Sequence, residues 1–171
     1  MYAIPGQHDS PNHRIEDLHR SAYWTLVQSG RIQTLVPGQK VCVNGLVLWG
    51  FPWGAELTPC PDPPHTFGLH VAVIHRYVWV KTACYHGASE ESRLGRFREV
   101  LAGYDAVLLG DNHKFFKLKL ADSVRVLNPG TFMRRKLDER DHKPCVGLLH
   151  KSGRISLHHL NVSKDQFIAS E

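Results

Sequence analysis

The chain has 171 residues, with 42% hydrophobic and 22% charged side chains and a formal net charge of +5. This length and composition are typical of one globular domain that buries its own core, and they exclude a disordered tail. No apolar run reaches the roughly 20 residues that a membrane-spanning helix needs. The four cysteines lie far apart, which indicates the reduced thiols of a cytoplasmic protein. The positive charge favours polyanionic partners such as nucleic acid.

The first third of the chain is predicted to form a strand, a helix and a hairpin. The strand covers residues 2–5, and apolar residues recur at helical spacing over 15–29. One face of this helix is predicted to carry Ile15, Leu18, Ala22, Leu26 and Ser29. Residues 41–49 are strand-like and contain Asn44-Gly45, a favoured pair for a tight hairpin turn. The proline-rich segment 58–64 then excludes both helix and central strand.

The rest of the chain is predicted to contain two buried strands separated by a helix, and then strands alone. The buried strands cover 69–75 and 106–109, and the amphipathic helix between them covers 90–103. The later strands are predicted at 117–120, 124–127, 146–150 and 155–160, with a hairpin turn at Ser152-Gly153. This order of elements is typical of a layered α/β domain.

Three histidine-bearing sites follow or close predicted buried strands. They are the sequence Gly-Gln-His-Asp at 6–9, the single residue His75, and Gly-Asp-Asn-His at 110–113. The carboxyl ends of strands in open α/β sheets are where ligands collect, so these side chains are expected to converge. Imidazole, carboxylate and amide groups together are suitable ligands for divalent ions such as Zn, Fe, Mn or Ni.

The same segments carry a resemblance to the calcineurin-like metallophosphoesterases. That family has, in order, D-x-H, G-D-x-x-D, G-N-H-D or G-N-H-E, an isolated His, and G-H-x-H. Residues 6–9, His75 and 110–113 resemble the last three motifs in the right order. Residues 127–131 resemble the family's N-P-G-S segment, and the stretch 133–144 resembles the tail of SbcD-like DNA-repair exonucleases. The resemblance extends over residues 3–160.

The resemblance implies a fold and an activity. The fold is a partial α/β/β/α sandwich, with mixed sheets flanked by helices, in which 1–171 form the C-terminal two-thirds of the family domain. The activity is that of a hydrolase that cleaves phosphodiesters of DNA as a nuclease, with two metal ions in the complete family site. Manganese is the expected ion, and Mg, Fe, Ni and Zn are alternatives. The implied partners are DNA, an SbcC-like ATPase or a missing N-terminal segment, and a further copy of the chain, without a membrane.

The resemblance also implies metal ligands. Gln7, His75 and Asp111 would bind the second metal, and His113 would reach the first. Gln7 stands where the family has Asn, which is one methylene shorter. Asp111 stands where the family has His, and the added negative charge favours harder ions such as Mn or Mg.

Other residues are implied to act on the substrate. His8 would donate a proton to the leaving oxygen or stabilise charge there, and Asp9 would hold and polarise the His8 ring. His13 is expected to line the substrate groove. Arg134 and Arg135, in the basic run 133–136, are expected to contact phosphate.

The family's first two motifs do not precede residues 6–9 in this sequence, and they would supply the bridging Asp and further ligands of the first metal. The chain is therefore expected to lack the first βαβ portion of the fold and to be incomplete for catalysis by itself. Uncovered apolar surface is expected to make it oligomeric or poorly soluble. Two other functions remain open: a phosphoesterase for small nucleotides or phosphate esters, and a truncated, non-catalytic paralogue that acts as a binding or structural module.

Overall fold

The structure of the chain is a computed structural model that describes residues 1–62, 67–81, 83–120 and 123–166. The strands are β1 (Tyr2–Ala3), β2 (Gln33–Thr34), β3 (Lys40–Val43), β4 (Leu46–Phe51), β5 (Leu69–His75), β6 (Ala106–Gly110), β7 (Phe116–Lys119), β8 (Arg125–Asn128), β9 (Cys145–Leu149) and β10 (Ile155–His159). Within these ranges there is one α-helix, α1 (Ala22–Gln28). The 3-10 helices there are Gln7–Asp9, Pro11–His13, Ile15–Arg20, Glu90–Ser92, Leu94–Phe97 and Leu137–Glu139.

A six-stranded mixed sheet, in the order β3-β4-β5-β6-β8-β7, forms the centre of the molecule. The four inner strands are parallel, and the edge strands β3 and β7 pair with them in the antiparallel direction. The inner strands are rich in Val, Leu and Ile because both faces of a parallel sheet are covered. The chain is therefore a mixed α/β protein with few helices in its described part.

The two faces of this sheet are covered differently. One face carries the main core, which includes Trp49, Ile74, Val107 and Val126, and irregular connections pack over it. Two small sheets lie on the other face: the parallel pair β1–β2 and the antiparallel hairpin β9–β10. Gly50 of β4 abuts Leu35, directly after β2, and Gly147 of β9 abuts Leu127 of β8. Glycine permits these close approaches because it has no Cβ.

The single helix predicted over 15–29 is wrong. Ser21 is extended (φ −103°, ψ 163°) and separates a 3-10 helix from α1, and its Oγ accepts a hydrogen bond of 3.1 Å from the N–H of Trp24. Serine favours such N-caps over helix interiors, which explains the break. Of the residues predicted to share one face, Ile15, Ala22 and Leu26 are exposed, and the buried residue of α1 is Tyr23.

The amphipathic helix predicted over 90–103 is likewise wrong, although its inward residues Leu94 and Leu101 are buried. Two short 3-10 helices occupy part of this stretch instead, separated by Arg93 in an extended conformation. The backbone N–H of Trp79 donates to the Ser92 carbonyl at 3.1 Å, and the Leu94 N–H donates to the Trp79 carbonyl at 2.9 Å. This strand-like pairing with residue 79 competes with helical hydrogen bonds and ends the helix.

Both predicted hairpin turns are confirmed. Asn44 and Gly45 have φ of 48° and 78° between β3 and β4, as a two-residue turn requires, and Gly153 has φ of 77° between β9 and β10. Residues 58–62 of the proline-rich segment are irregular, as predicted, and 63–64 lie outside the described residues. No helix in the described ranges combines the length and the apolar character of a membrane span.

Candidate functional site

The sheet brings three chain segments together at the carboxyl ends of its strands. His75 is the last residue of β5 and pairs with Gly110, the last residue of β6, so Asp111 emerges beside it. The segment after β1 reaches the same edge, because the backbone N–H of Trp53, just beyond β4, donates to the Pro5 carbonyl at 3.2 Å. Parallel strands end at one edge of a sheet, which explains why distant residues meet here.

Gln7, His75 and Asp111 are joined by hydrogen bonds, and we call them the strand-end cluster. The amide Nε2 of Gln7 donates to Oδ1 of Asp111 at 2.8 Å, across 104 residues of sequence. The Nε2 of His75 lies 2.7 Å from Oε1 of Gln7, across 68 residues. Since the amide oxygen can only accept, the His75 Nε2 carries the proton in this arrangement. The structure thus brings together the three residues that the sequence assigned to one metal ion.

Two backbone features hold the strand-end cluster in place. A Cβ at Gly6 would lie 2.5 Å from Nε2 of His75, so only glycine lets the imidazole pack against this turn. Asp111 has φ of 88°, a conformation that Asp and Asn adopt more readily than most residues. These features support the first and last segments of the site from opposite sides of the His75 ring.

His75 is expected to be neutral at pH 7. Burial lowers the pKa of this half-buried imidazole below its usual 6.5, and the nearby charge of His8 acts in the same direction. The carboxylates of Asp111 and Asp9 raise the pKa, but they do not overcome the burial. The neutral imidazole is the form that binds metal ions.

The turn that follows Gly6 places His8, Asp9 and His13 at the surface. The carboxylate of Asp9 accepts a hydrogen bond of 2.7 Å from the Gly6 N–H, so it supports the turn. The ring next to His8 is that of His13, with centroids 5.1 Å apart and an interplanar angle of 70°. His13 is itself held 3.0 Å from the Gln7 carbonyl through Nδ1. These contacts place His8 and His13 together, beside the strand-end cluster.

His113 belongs to a separate pair with Glu139. Its Nδ1 lies 2.9 Å from Oε1 of Glu139, whose other oxygen accepts from the backbone N–H groups of Arg135 and Lys136 at 2.9 and 3.1 Å. Glu139 is only 5% exposed. Burial alone would raise the pKa of this carboxyl, but the hydrogen bonds from His113, Arg135 and Lys136 lower it below 4.5. Glu139 was not predicted as a site residue, because nothing in the sequence links it to a histidine 26 positions away.

The two arginines expected to contact phosphate are placed differently. Arg134 donates to Oδ2 of Asp165 at 2.8 Å and to the Arg140 carbonyl at 3.0 Å, so its guanidinium binds the chain's own C-terminal region. Arg135 is exposed, and its backbone helps to hold Glu139. The structure therefore brings Arg135, but not the guanidinium of Arg134, next to the His113–Glu139 pair.

Asn112, between the two predicted ligands Asp111 and His113, organises the neighbouring loop. Its buried amide donates to the carbonyls of Val78 and Ala83, each at 2.8 Å. A cavity of about 220 Å³ opens beside these contacts. Its lining consists of Tyr77, Tyr85, Asp111, Asn112, His113, Lys114, Lys136, Asp138 and Glu139. Of this set, only Asp111 and His113 were predicted as site residues, since tyrosines and a buried amide carry no motif.

The strand-end cluster contains one imidazole and two side-chain oxygens: Nε2 of His75 lies 2.7 Å from Oε1 of Gln7, and Oδ1 of Asp111 lies 2.8 Å from the Gln7 amide nitrogen. One nitrogen and two oxygens suit a borderline or hard divalent ion. Binding would exchange the hydrogen bonds within the cluster for bonds to the ion. No group of three or more His, Cys, Asp and Glu side chains suited to a metal ion occurs among the described residues. Gln7, His75 and Asp111 would supply three ligands to one such ion.

Comparison with known proteins provides evidence on the fold. Four solved chains match the structure. One crystal structure matches with a TM-score of 0.54 and 13% sequence identity, over 94% of this chain. The present chain spans 65% of the length of that solved chain. No family model matches the sequence, and no curated protein matches it.

Proposed function

We propose that this chain belongs to a calcineurin-like metallophosphoesterase of the SbcD-like branch and that it serves metal-dependent phosphodiester hydrolysis, with DNA as the substrate. The observation that carries the proposal is the hydrogen-bonded contact of Gln7, His75 and Asp111, which come from three strand ends. Side chains that serve only the stability of the fold have no need to converge from three segments that also match three family motifs in order.

The fold supports the same proposal. A mixed sheet carries the site at its strand ends, and two small sheets cover one face of it. Such layering is compatible with the sandwich of the family. The connection over 90–103, which forms 3-10 turns rather than a helix, is the point at which this chain differs most from that expectation.

Gln7, His75 and Asp111 would hold the divalent ion, with manganese favoured because two of the three ligands are oxygens. A bound ion of this kind polarises a phosphoryl oxygen and lowers the pKa of a bound water. The role of the protein is to keep His75 neutral by burial and to place the ligands before the ion arrives. His113 would present its Nε2 toward the position of the family's first metal, since its Nδ1 is directed at Glu139.

In this proposal, His8 is the residue that acts on the leaving oxygen. It is exposed at the surface turn next to the ligand Gln7, and its environment leaves it accessible to a substrate. An imidazole there can donate a proton to the departing oxygen. Asp9 acts on His8 only indirectly, because it supports the turn through the Gly6 N–H.

Manganese binding tests the proposal directly. The purified chain, stripped with a chelator and dialysed, is titrated with Mn²⁺ and followed by electron paramagnetic resonance. We expect one weakly bound ion. His75→Ala is expected to lower the affinity for Mn²⁺ by more than the about 10–100-fold that loss of an outer-sphere partner costs. His159→Ala, at an exposed histidine of β10, is the matched control and is expected to bind like the wild type.

Hydrolysis of single-stranded DNA, double-stranded DNA and bis-(p-nitrophenyl) phosphate is measured on the same samples. Any cleavage is expected to require Mn²⁺, to stop on addition of chelator and to be lost in His75→Ala. Because His113 is the one proposed ligand of the first metal, we expect slow turnover. Equal manganese affinity in the wild type and in His75→Ala would contradict the assignment of the site, and two tightly bound ions would reveal further ligands.

A second function is favoured by one specific observation. The polar groups of the strand-end cluster already satisfy one another, so the cluster is stable as a hydrogen-bonded structure without an ion. A non-catalytic module of the same fold would use it in that way. In that case Mn²⁺ would leave the midpoint of thermal unfolding unchanged, whereas a bound ion raises it with the logarithm of its concentration over Kd.

A further inference from the structure

The cavity of about 220 Å³ next to Asp111 and His113 contains features that metal binding does not use. Its volume is below the ~300–1,000 Å³ of pockets for drug-sized ligands, so it accommodates one part of a larger ligand. Two of its walls are tyrosines, Tyr77 and Tyr85, and two lysines, Lys114 and Lys136, also line it.

The two tyrosine rings contact each other, and one of them is exposed. Their ring centroids are 4.9 Å apart with an interplanar angle of 49°, and the Tyr77 hydroxyl accepts a hydrogen bond of 3.1 Å from the Tyr85 N–H. Tyr77 is half-buried, whereas Tyr85 is 55% exposed. The pair therefore presents a positioned aromatic ring that still has free surface for a ligand. Bases of single strands stack on such rings irrespective of sequence.

The position of this pair relative to the candidate metal ligands is set by Asn112. Its side chain donates to the carbonyls of Val78 and Ala83, and it accepts from the Lys114 N–H at 2.9 Å. In the sequence, Tyr77 directly precedes Val78, and Tyr85 follows two residues after Ala83. Asn112 is buried and lies between Asp111 and His113. One side chain thus ties the tyrosine loop to the loop that carries two proposed ligands.

The charges of the cavity favour a neutral ring as its occupant. Asp111, Asp138 and Glu139 line it together with the two lysines, so the interior is not a basic pocket for a bare phosphate. The ammonium of Lys114 lies 3.5 Å from a carboxylate oxygen of Asp138 and is 38% exposed. Lys136 is exposed as well. Both lysines are therefore available to a phosphate that flanks the occupant rather than enters the cavity.

We propose that this cavity is a nucleobase subsite, in which the base of the nucleotide next to the cleaved phosphodiester stacks on Tyr85 and its flanking phosphate contacts Lys114 and Lys136. The inference rests on the proposed function, because it places the subsite beside a phosphodiester held at Asp111 and His113. It selects nucleic acid over phosphate esters that lack a base.

The test compares two short single-stranded oligonucleotides of equal length, one of thymidine and one abasic with the same number of phosphates. Binding is measured by fluorescence anisotropy in chelator, so no metal ion is required. The wild type is expected to bind the thymidine strand about 10-fold more tightly than the abasic strand. Tyr85→Ala is expected to weaken binding of the thymidine strand by that factor and to leave the abasic strand unchanged.

Two further variants serve as controls. Tyr85→Phe keeps the ring and is expected to bind like the wild type. Phe67→Ala removes an aromatic ring that is 80% exposed two residues before β5, a strand about 20 Å long with His75 at its far end, and is expected to have no effect. Far-ultraviolet circular dichroism confirms that each variant is folded.

The outcomes separate this inference from the proposed function. Equal affinity of the wild type for both strands, or equal loss in Tyr85→Ala and Phe67→Ala, overturns the subsite even if the chain binds manganese and cleaves DNA. A preference for bases that depends on the ring at position 85 supports the subsite, and it does so even if His75→Ala proves to have no effect on manganese binding.

Discussion

Asp111 and His113 lie two residues apart on one loop, yet they belong to two different structures. Asp111 and His75 meet because the parallel strands β5 and β6 end at the same edge of the sheet, and Gln7 reaches them from the turn after β1, which the Trp53 N–H holds at this edge. His113 joins Glu139, which reaches it from the irregular segment after β8. The strand-end cluster is thus assembled by the sheet, and the His113–Glu139 pair is assembled by a loop that closes over it.

The difference has consequences for stability. The half-buried side chains of the strand-end cluster bond to one another, and a glycine gives them their space. In the other pair, a histidine with a 56% exposed side chain is oriented by a carboxylate that is buried and bonded to two backbone N–H groups. We therefore expect the cluster to be sensitive to steric changes and the pair to be sensitive to the loss of a single charge.

The largest expected effect tests the steric sensitivity of the strand-end cluster. Gly6→Ala places a methyl group 2.5 Å from Nε2 of His75, so the ring must move and its bond to Gln7 must break. We expect a loss of about 2–3 kcal/mol in the free energy of unfolding, together with weaker manganese binding. Gly95→Ala is the control, since nothing lies within 4 Å of its Cβ. Urea unfolding measures both variants, and equal values would refute the close packing at Gly6.

The next effect tests the role of charge in the second pair. Glu139→Ala removes the acceptor of the His113 imidazole and of two backbone N–H groups. The expected cost is about 1–2 kcal/mol of unfolding free energy, because buried donors lose their partner. Asp138→Ala removes the neighbouring carboxylate, whose side chain is exposed, and is expected to change stability by less than about 0.5 kcal/mol. Thermal and urea unfolding measure both variants. Equal losses of unfolding free energy in the two would contradict the prediction.

A smaller effect of the same pair appears as a pH dependence. The pKa of Glu139 is lower in the folded protein than its usual 4.5, so folding favours the ionised carboxylate. Its contribution to stability is therefore complete above pH 4.5 and is lost as the pH falls through the lower, folded value. Stability curves of the wild type and Glu139→Gln are expected to converge in that acidic range. Curves that stay parallel there would show that the carboxylate does not titrate as described.

The smallest effect concerns charge within the strand-end cluster. Asp111→Asn keeps an oxygen for the Gln7 amide and a residue that tolerates positive φ, so stability should change by less than about 0.5 kcal/mol. The negative charge of Asp111 raises the pKa of His75, and its removal should lower that pKa further. Nuclear magnetic resonance titration of the His75 ring measures the change. Asp138→Asn is the control, and an upward shift in Asp111→Asn would contradict the assigned interaction.

Much of the fold could be predicted because its signals are local. The strands that end at His75 and Gly110 are continuous apolar runs, and the turns at Asn44-Gly45 and Ser152-Gly153 use residues that adopt positive φ. The two predicted helices were wrong because hydrophobic periodicity does not record the hydrogen bonds that interrupt them. Ser21 caps a new helix, and the stretch around Arg93 pairs with Trp79.

The sequence by itself determined that His75 and Asp111 stand at neighbouring strand ends, because strand positions follow from local hydrophobicity and parallel strands share one edge. The tertiary structure alone decided that Glu139 holds His113, that Asn112 ties the tyrosine loop to the site, and that Arg134 pairs with Asp165. These contacts depend on how irregular segments pack over the sheet. The free energy of that packing comes from the whole core, so no pattern within a short stretch of sequence records it.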